Sequence, residues 1–286
     1  MNILVVNDDG INSRGLAELV EALETKGNVY VAAPDGERSG FSGSITLGRK
    51  IHVTPLKYRR TKAAYAIDGT PVDCTKAGIQ FFGEAGIKFD IVYSGINLGS
   101  NLGRDINYSG TVGAAVEAAL SGIPAVALSV DSHTPKHYEA SRNIALKILD
   151  CMSGKGGGDI LGGIRISPGK YLNVNVPHMA EQEIKGVRIT TLGGRHYADS
   201  LQKCDVEQEQ CRGQECGAGQ KPEVLLNQYA GMQEHSGDYI LDGETVVHGS
   251  EKETSDIVAV SRGYVSITPA SCDATDHEMI KNSGIV

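Results

Sequence analysis

Two adjacent carboxylates, Asp8 and Asp9, stand where a short apolar run ends, in the sequence Val5-Val6-Asn7-Asp8-Asp9-Gly10. Two carboxylates at the end of a buried strand repel each other and lose hydration, and a hard divalent cation would offset both costs. The alternative is that one aspartate caps the following helix while the other stays solvated. The pair alone favours neither interpretation, so a cation site requires further oxygen ligands nearby.

Two neutral oxygen donors are expected at the same edge of the sheet. Ser39 lies in a glycine-rich loop, and Asn97 follows a strand predicted over Ile91 to Tyr93. With Asp8 and Asp9 they would form an oxygen cage that leaves room for water and a phosphate oxygen, which suits Mg²⁺, Mn²⁺ or Ca²⁺ better than Zn²⁺. For Ser39 the alternative is ordinary loop polarity. We predict one divalent metal ion per subunit and assign Asp8 and Asp9 as catalytic residues.

A second cluster, Ser109-Gly110-Thr111, stands at the start of a predicted helix. The unpaired N–H groups and the dipole of a helix N-terminus attract anions, so this cluster is a candidate phosphate site. The alternative is that Ser109 or Thr111 only caps the helix. Together with Gly40 and Asn97, these residues form the predicted substrate-binding set for a small phosphate ester.

These residues need a scaffold that brings separate loops together, and the chain alternates predicted strands with predicted helices. Apolar runs predict strands at 2–6, 29–33, 90–93, 125–129 and 171–176. Helical spacing and capping signals predict helices at 14–26, 70–82, 111–120 and 138–152. This order is typical of a Rossmann-like, doubly wound, mostly parallel sheet, which binds ligands beyond the carboxyl ends of its strands.

The strand-helix alternation weakens in the last third of the chain. Residues 1–180 are therefore predicted to form the catalytic domain and residues 181–286 a C-terminal segment of hairpins and a late strand. The stretch Arg195 to Asp256 has no clean periodicity and is interpreted as loops and hairpins. Val258 to Pro269 is interpreted as a strand at the sheet edge or at a partner subunit.

Charge and cysteine content limit the partners and the compartment. The formal net charge is -8 and no long basic run appears, which argues against a nucleic-acid polymer as partner. No apolar stretch has the length of a membrane span or a signal peptide, so a cytoplasmic protein with reduced thiols is expected. Cys204, Cys211 and Cys216 lack a Cys-x-x-Cys pair, which favours a free-thiol loop over a zinc knuckle.

Eight short motifs of this chain match one protein family in order and in spacing. They are Val5-Val6-Asn7-Asp8-Asp9-Gly10, Ala33-Pro34-Asp35, Glu37-Arg38-Ser39-Gly40, Gly69-Thr70-Pro71-Val72-Asp73-Cys74, Ser94-Gly95-Ile96-Asn97, Tyr108-Ser109-Gly110-Thr111-Val112, Asn173-Val174-Asn175-Val176-Pro177 and Gly263-Tyr264-Val265-Ser266-Ile267-Thr268-Pro269. In these motifs the chain resembles the SurE (survival protein E) family of nucleotidases. The agreement is strongest over residues 1–129, and it occurs again near residues 173 and 263.

The resemblance implies a cytoplasmic 5'/3'-nucleotidase that hydrolyses nucleoside monophosphates, with short polyphosphate as a further substrate of some members. It implies metal ligands at Asp8, Asp9, Ser39 and Asn97. It also implies a homodimer or homotetramer in which C-terminal segments are exchanged between subunits.

Of three other functions, the residues argue against two and leave one open. Asp8 could be a covalent nucleophile, although enzymes of that type usually have one residue between their two acids. A signalling receiver domain would need a third acid at the end of a middle strand, where this chain has Tyr93-Ser94-Gly95. A non-catalytic nucleotide sensor would share the binding site without turnover, and hydrolysis of a generic aryl phosphate would exclude it.

Overall fold

A computed structural model of the protein describes residues 1–154, 160–203, 239–247, 251–275 and 277–282. The described residues fall into two compact units, with boundaries between residues 196 and 197 and between residues 246 and 247. The segment from Cys204 to Cys216, interpreted above as a free-thiol loop, lies outside the described residues. Cys74, Cys151 and Cys272 carry thiols rather than disulfides.

The first unit contains a nine-stranded sheet. Its strands are β1 Asn2–Val6, β2 Asn28–Pro34, β3 Val53–Leu56, β4 Ala63–Ile67, β5 Ile91–Leu98, β6 Ala125–Val130, β7 Lys170–Val176, β8 Val187–Ile189 and, after two further strands, β11 Val265–Ser271. The spatial order is β3-β4-β2-β1-β5-β6-β7-β11-β8. The pairs β3/β4 and β7/β11 are antiparallel, and the other pairs are parallel.

Helices cover both faces of this sheet. They are α1 Arg14–Leu23, α2 Pro71–Glu84, α3 Gly110–Leu120, α4 Glu139–Ser153, α5 Asp256–Ser261 and α6 His277–Asn282. Strand β1 shows the division, because Ile3 and Val5 pack in the core beside α1 and α4 whereas Leu4 and Val6 pack in the core beside α2 and α3. The predicted doubly wound, mostly parallel α/β fold is confirmed.

Helices α1, α2 and α3 begin in the loops that follow the carboxyl ends of β1, β4 and β5. A polar side chain caps the first turn of each helix. Ser13 caps α1 by accepting a hydrogen bond from the Leu16 amide. Thr70 and Asp73 form the predicted capping box at the start of α2. Ser109 caps α3. These caps place the helix N-termini at the sheet edge where the predicted site residues lie.

The strand predicted over Val258 to Pro269 is wrong in its first half. Residues Asp256–Ser261 form α5, whose first turn is capped by the Ser255 hydroxyl accepting from the Val258 amide. The chain then turns at Gly263, where φ is +83°, and β11 begins at Val265. Ser255 followed by Asp256 was the local signal for the start of a helix. The prediction of a strand was wrong because a short apolar run does not distinguish a helix from a strand.

The middle strand β5 is longer than predicted, because it continues past Tyr93 through Asn97 to Leu98. Its pairing with β6 shifts between Gly95 and Asn97. A Cβ atom at Gly95 would lie 2.3 Å from the Leu128 carbonyl oxygen, so glycine permits this close approach. Asn97, which was predicted to follow this strand, therefore lies within its irregular end.

The C-terminal part of the chain contributes to both sheets. Strands β8 and β11 complete the nine-stranded sheet, and β9 Arg195–Lys203 pairs with β10 Tyr239–Val247 in a separate two-stranded sheet. The C-terminal segment of hairpins and the division of the chain at residue 180 stay predictions. No helix among the described residues is long and apolar enough to cross a membrane.

Candidate metal centre

The turn after β1 is built around Asn7, which is fully buried. Its side-chain nitrogen donates to the Gly10 carbonyl at 3.0 Å and to the Ser13 hydroxyl at 2.8 Å. The backbone carbonyl of Asp8 accepts from the Arg38 amide at 2.7 Å. The turn that presents Asp8 and Asp9 is thus fixed by α1 on one side and by the Ser39 loop on the other.

Asp8 lies against the N-terminus of α3. The Thr111 hydroxyl and the Thr111 backbone both hydrogen-bond to its carboxylate. A Cβ atom at Gly110 would lie 3.0 Å from Asp8 Oδ2, so a larger residue would crowd the carboxylate there. Burial raises the pKa of Asp8, and the hydrogen bonds from Thr111 lower it in part. The helix N-terminus therefore stabilises the charge of Asp8.

Asp9 is the more exceptional carboxylate of the pair. Its Oδ2 atom is buried and has no hydrogen-bond donor among the described residues. The pKa of Asp9 is raised to about 7. Burial is the main cause and the charges of Asp8 and Glu37 add to it, whereas a backbone hydrogen bond at Leu98 lowers the pKa in part. A buried carboxylate without a donor, next to a second carboxylate, fits a divalent cation as the missing partner.

Asn97 stands near the end of β5, the strand that pairs with β1, and it is 9% exposed. Its side-chain nitrogen donates to the Gly99 carbonyl at 2.7 Å. Because the amide oxygen and nitrogen occupy separate branches, this bond fixes the direction in which Oδ1 points. Asn97 therefore offers an oriented neutral oxygen at the sheet edge that carries Asp8 and Asp9.

The Ser39 loop reaches this edge, but the serine itself is exposed. Its hydroxyl donates to the Glu37 carboxylate at 3.0 Å. Gly40 has φ of +75° and no atom within 4 Å of a Cβ built on it in the described part of the chain. The hydrogen bond from the Arg38 amide to the Asp8 carbonyl holds the Ser39 loop beside the carboxylate pair. Direct ligation of a metal ion by Ser39 stays a prediction.

The same loop is anchored further along at α3. A Cβ atom at Gly113 would lie 2.3 Å from the Ser42 carbonyl oxygen. Ser42 also donates through its amide to the Tyr108 carbonyl and through its hydroxyl to the Asn107 carbonyl at 2.6 Å. The loop and the start of α3 therefore form one continuous rim beside Asp8.

The predicted phosphate cluster is already engaged in part. The Ser109 hydroxyl accepts from the Val112 amide at 3.1 Å and thus caps α3. The Thr111 hydroxyl is bonded to Asp8. Both side chains therefore have structural partners, and binding of a phosphate group by the backbone of Ser109, Gly110 and Thr111 stays a prediction.

In the part of the chain that the structure describes, no group of three or more His, Cys, Asp or Glu side chains could hold a metal ion together. A cation at Asp8 and Asp9 would thus take its remaining ligands from neutral oxygens, water or substrate, which is the ligand set that Mg²⁺ and Mn²⁺ accept. The sequence reasoning missed Glu37 as a neighbour of this centre. Its place two residues before Ser39 in the glycine-rich loop was the available signal.

Comparison with known proteins decides the family. The family model described as Survival protein SurE matches residues 3–199. The chain belongs to the SurE family. It is 36% identical to the 5'-nucleotidase SurE of Syntrophomonas wolfei subsp. wolfei over 98% of this chain and 92% of that protein. It is 37% identical to the 5'-nucleotidase SurE of Geotalea uraniireducens over 98% of this chain and 96% of that protein.

A solved structure supports the same conclusion. The SurE protein from Aquifex aeolicus matches with a TM-score of 0.72 and 31% sequence identity, covering 99% of this chain and 98% of that one. The match to a solved SurE structure therefore covers nearly the full length of this chain.

The carboxylate pair predicts how the stability of this SurE chain depends on pH when no metal is bound. The pKa of Asp9 is about 7 in the folded chain against an ordinary value of 3.8. Between these values the folded state holds a proton that the unfolded state releases, so the free energy of unfolding falls as pH rises through this window. At about 1.4 kcal/mol per pKa unit, the loss is on the order of 4 kcal/mol at most.

Thermal unfolding in EDTA at about pH 5 and about pH 8 measures this effect, with Asp9→Asn as the reference that lacks the titrating group. The wild type is expected to lose more stability than Asp9→Asn between the two pH values. Equal losses in both proteins would show that Asp9 is not held in an unfavourable charged state.

Proposed function

We propose that the protein is a divalent-metal-dependent 5'-nucleotidase that hydrolyses nucleoside monophosphates to a nucleoside and phosphate. The observation that carries the proposal is the buried Asp9 carboxylate oxygen without a donor beside Asp8 and the N-terminus of α3. A cation would offset the repulsion and the burial of such a pair, and a helix N-terminus at the same place suits an anionic group of the substrate. The curated relatives that share nearly the full chain are named 5'-nucleotidases, which supports the substrate class.

Asp8, Asp9, Asn97 and Ser39 are the proposed metal ligands. Mg²⁺, Mn²⁺ or Ca²⁺ held there would neutralise charge on the phosphate and lower the pKa of a bound water. The hydrogen bond from the Thr111 hydroxyl favours the charged form of Asp8, and Asn97 is oriented by Gly99. Ser39 would turn from Glu37 towards the ion, a change that its exposed position allows.

The other proposed roles belong to the protein groups around this centre. Asp9, or a carboxylate next to it, accepts the proton of the attacking water, which approaches the phosphorus in line with the departing nucleoside oxygen. Backbone N–H groups at Gly40, Ser109 and Gly110 stabilise charge on the phosphate oxygens, while the Thr111 backbone stays bonded to Asp8. The bond between phosphorus and the nucleoside oxygen breaks, and that oxygen takes a proton from solvent, so the nucleoside leaves as an alcohol.

We also propose a cytoplasmic homodimer or homotetramer in which the C-terminal segment is exchanged between subunits. The support for a partner surface is exposed apolar side chains on the two-stranded β9–β10 sheet, where Leu201 is 67% and Leu241 is 63% exposed. Apolar side chains of this size on one small sheet favour burial against a second chain.

Phosphate release tests the activity and determines the preferred substrate. The substrates are AMP, GMP, their 3' isomers, short polyphosphate and a generic aryl phosphate, each with Mg²⁺, Mn²⁺ or EDTA. We expect metal-dependent release from the nucleoside monophosphates. No release from any of them with any metal would leave a nucleotide-binding protein without catalysis as the better conclusion.

A further inference from the structure

A short loop after β5 is held down by asparagine side chains of β7. Asn175 makes two bonds to the backbone of Asn101: its Oδ1 accepts from the Asn101 amide at 2.8 Å, and its Nδ2 donates to the Asn101 carbonyl at 3.1 Å. Asn173 donates to the same carbonyl at 2.8 Å. Asn173 and Asn175 are fully buried, so these bonds form away from water.

The side chain of Asn101 ties the loop to the strand between β5 and β7. Its Nδ2 donates to the Ser129 hydroxyl at 2.9 Å. Ser129 is the register partner of Asn97 on β5 and of Asn175 on β7. Asn97, Ser129 and Asn175 therefore form one row across three strands, and Asn101 is bonded to two members of this row.

The loop also determines the orientation of Asn97. The Gly99 carbonyl accepts from the Asn97 side chain at 2.7 Å, and the Gly99 amide donates to the Val130 and Ser132 carbonyls, both at 3.0 Å. Gly99 and Asn101 are only two residues apart. A displacement of Asn101 would therefore move the carbonyl that fixes the direction of the Asn97 amide oxygen.

We propose that Asn175 is a positioning residue for the metal ligand Asn97, acting through Asn101 and the Gly99 carbonyl. This inference rests on the metal site of the proposed function. It gives a role to the Asn173-Val174-Asn175-Val176-Pro177 segment, whose side chains do not belong to the candidate metal centre itself. A side-chain amide suits residue 175 because its oxygen accepts from the N–H of Asn101 while its nitrogen donates to the carbonyl of the same residue.

The test measures Mn²⁺ binding to metal-stripped protein by calorimetry and by electron paramagnetic resonance, which do not depend on turnover. Asn175→Ala is compared with Thr268→Val, a buried change on β11 that removes a hydroxyl bonded to Thr190 and has no bond to Asn101. Asn175→Ser is the milder variant if Asn175→Ala does not give folded protein. Unfolding temperatures are recorded for each variant.

We expect the Mn²⁺ dissociation constant of Asn175→Ala to rise roughly 10- to 100-fold, the range found when groups that orient metal ligands are removed. Thr268→Val should bind as the wild type does even where its unfolding temperature falls. Added Mn²⁺ should restore the turnover of Asn175→Ala, which a purely structural defect would not allow.

Two results would overturn the inference and can be told apart. If the wild type binds Mn²⁺, Asp9→Asn does not, and Asn175→Ala binds as tightly as the wild type, the role of Asn175 fails while the metal site stands. If the wild type binds no Mn²⁺, or Asp9→Asn binds it equally well, the metal site fails and the inference fails with it.

Discussion

Asp9→Asn is expected to reduce phosphate release by about 10²- to 10⁴-fold, the range associated with loss of a group that moves a proton in the transition state. The same change should raise the stability of the metal-free protein, because it removes a buried charge whose Oδ2 has no donor among the described residues. Activity assays with Mn²⁺ and thermal unfolding in EDTA measure the two effects on one protein preparation. Loss of activity together with gain of stability distinguishes a functional carboxylate from a structural one.

Asp90→Asn provides the matched control for this change of charge. Asp90 precedes β5 at the opposite edge of the sheet, is exposed, and accepts a hydrogen bond from the Asn2 amide at 2.7 Å. Its replacement should leave the phosphate release close to that of the wild type. An Asp9→Asn variant that kept more than about a tenth of the wild-type rate would contradict the assignment of Asp9.

Thr111→Val is expected to weaken both metal binding and turnover by roughly 10- to 100-fold. Valine has nearly the shape of threonine but lacks the hydroxyl that donates to Asp8, so the pKa of Asp8 should rise and its carboxylate should lose its orientation. The Mn²⁺ dissociation constant and the rate of AMP hydrolysis at saturating metal are the two measurements. A larger effect on the Mn²⁺ dissociation constant than on the rate at saturating metal would show that Thr111 acts mainly by holding the metal ligand Asp8.

Thr75→Val controls for the loss of a buried threonine hydroxyl. Thr75 is fully buried in α2, and its hydroxyl donates to the Pro71 carbonyl at 3.0 Å. The substitution should change Mn²⁺ affinity by less than about twofold, within the ordinary scatter of substitutions that do not touch a site. If Thr75→Val and Thr111→Val weakened metal binding equally, the effect would be one of general packing and the contact with Asp8 would have no special role.

The sequence predicted those parts of the structure that depend on local signals. The capping box of Thr70 and Asp73 and the position of Asp8 and Asp9 after β1 follow from residue types at short spacing, and the structure has both helix and strand at those places. The alternative interpretation of Ser109 as a helix cap was also a local one, and Ser109 does cap α3. These features can be predicted from the sequence because each of them depends on residues only a few positions apart.

The helix α5 and the role of Glu37 were missed although local signals existed, whereas the other missed features depend on contacts between distant residues. The extension of β5 through Asn97 follows from pairing with β6, and the apolar pattern that ends at Tyr93 does not contain that information. The bonds between Asn175 and Asn101 join residues 74 positions apart, and the bond between Thr111 and Asp8 joins residues 103 positions apart. Whether Thr111 would face a substrate or a neighbouring carboxylate could be decided only after the strands were arranged.

Metal dependence is the most direct test of the nucleotidase proposal. Protein stripped with EDTA and dialysed would be assayed for phosphate release from AMP while Mn²⁺ is added in small steps. We expect no release before metal is added, followed by a saturable rise that parallels the binding of one ion per chain. Undiminished AMP hydrolysis by the metal-free protein would contradict the assignment of Asp8 and Asp9 as the metal ligands on which the proposed function depends.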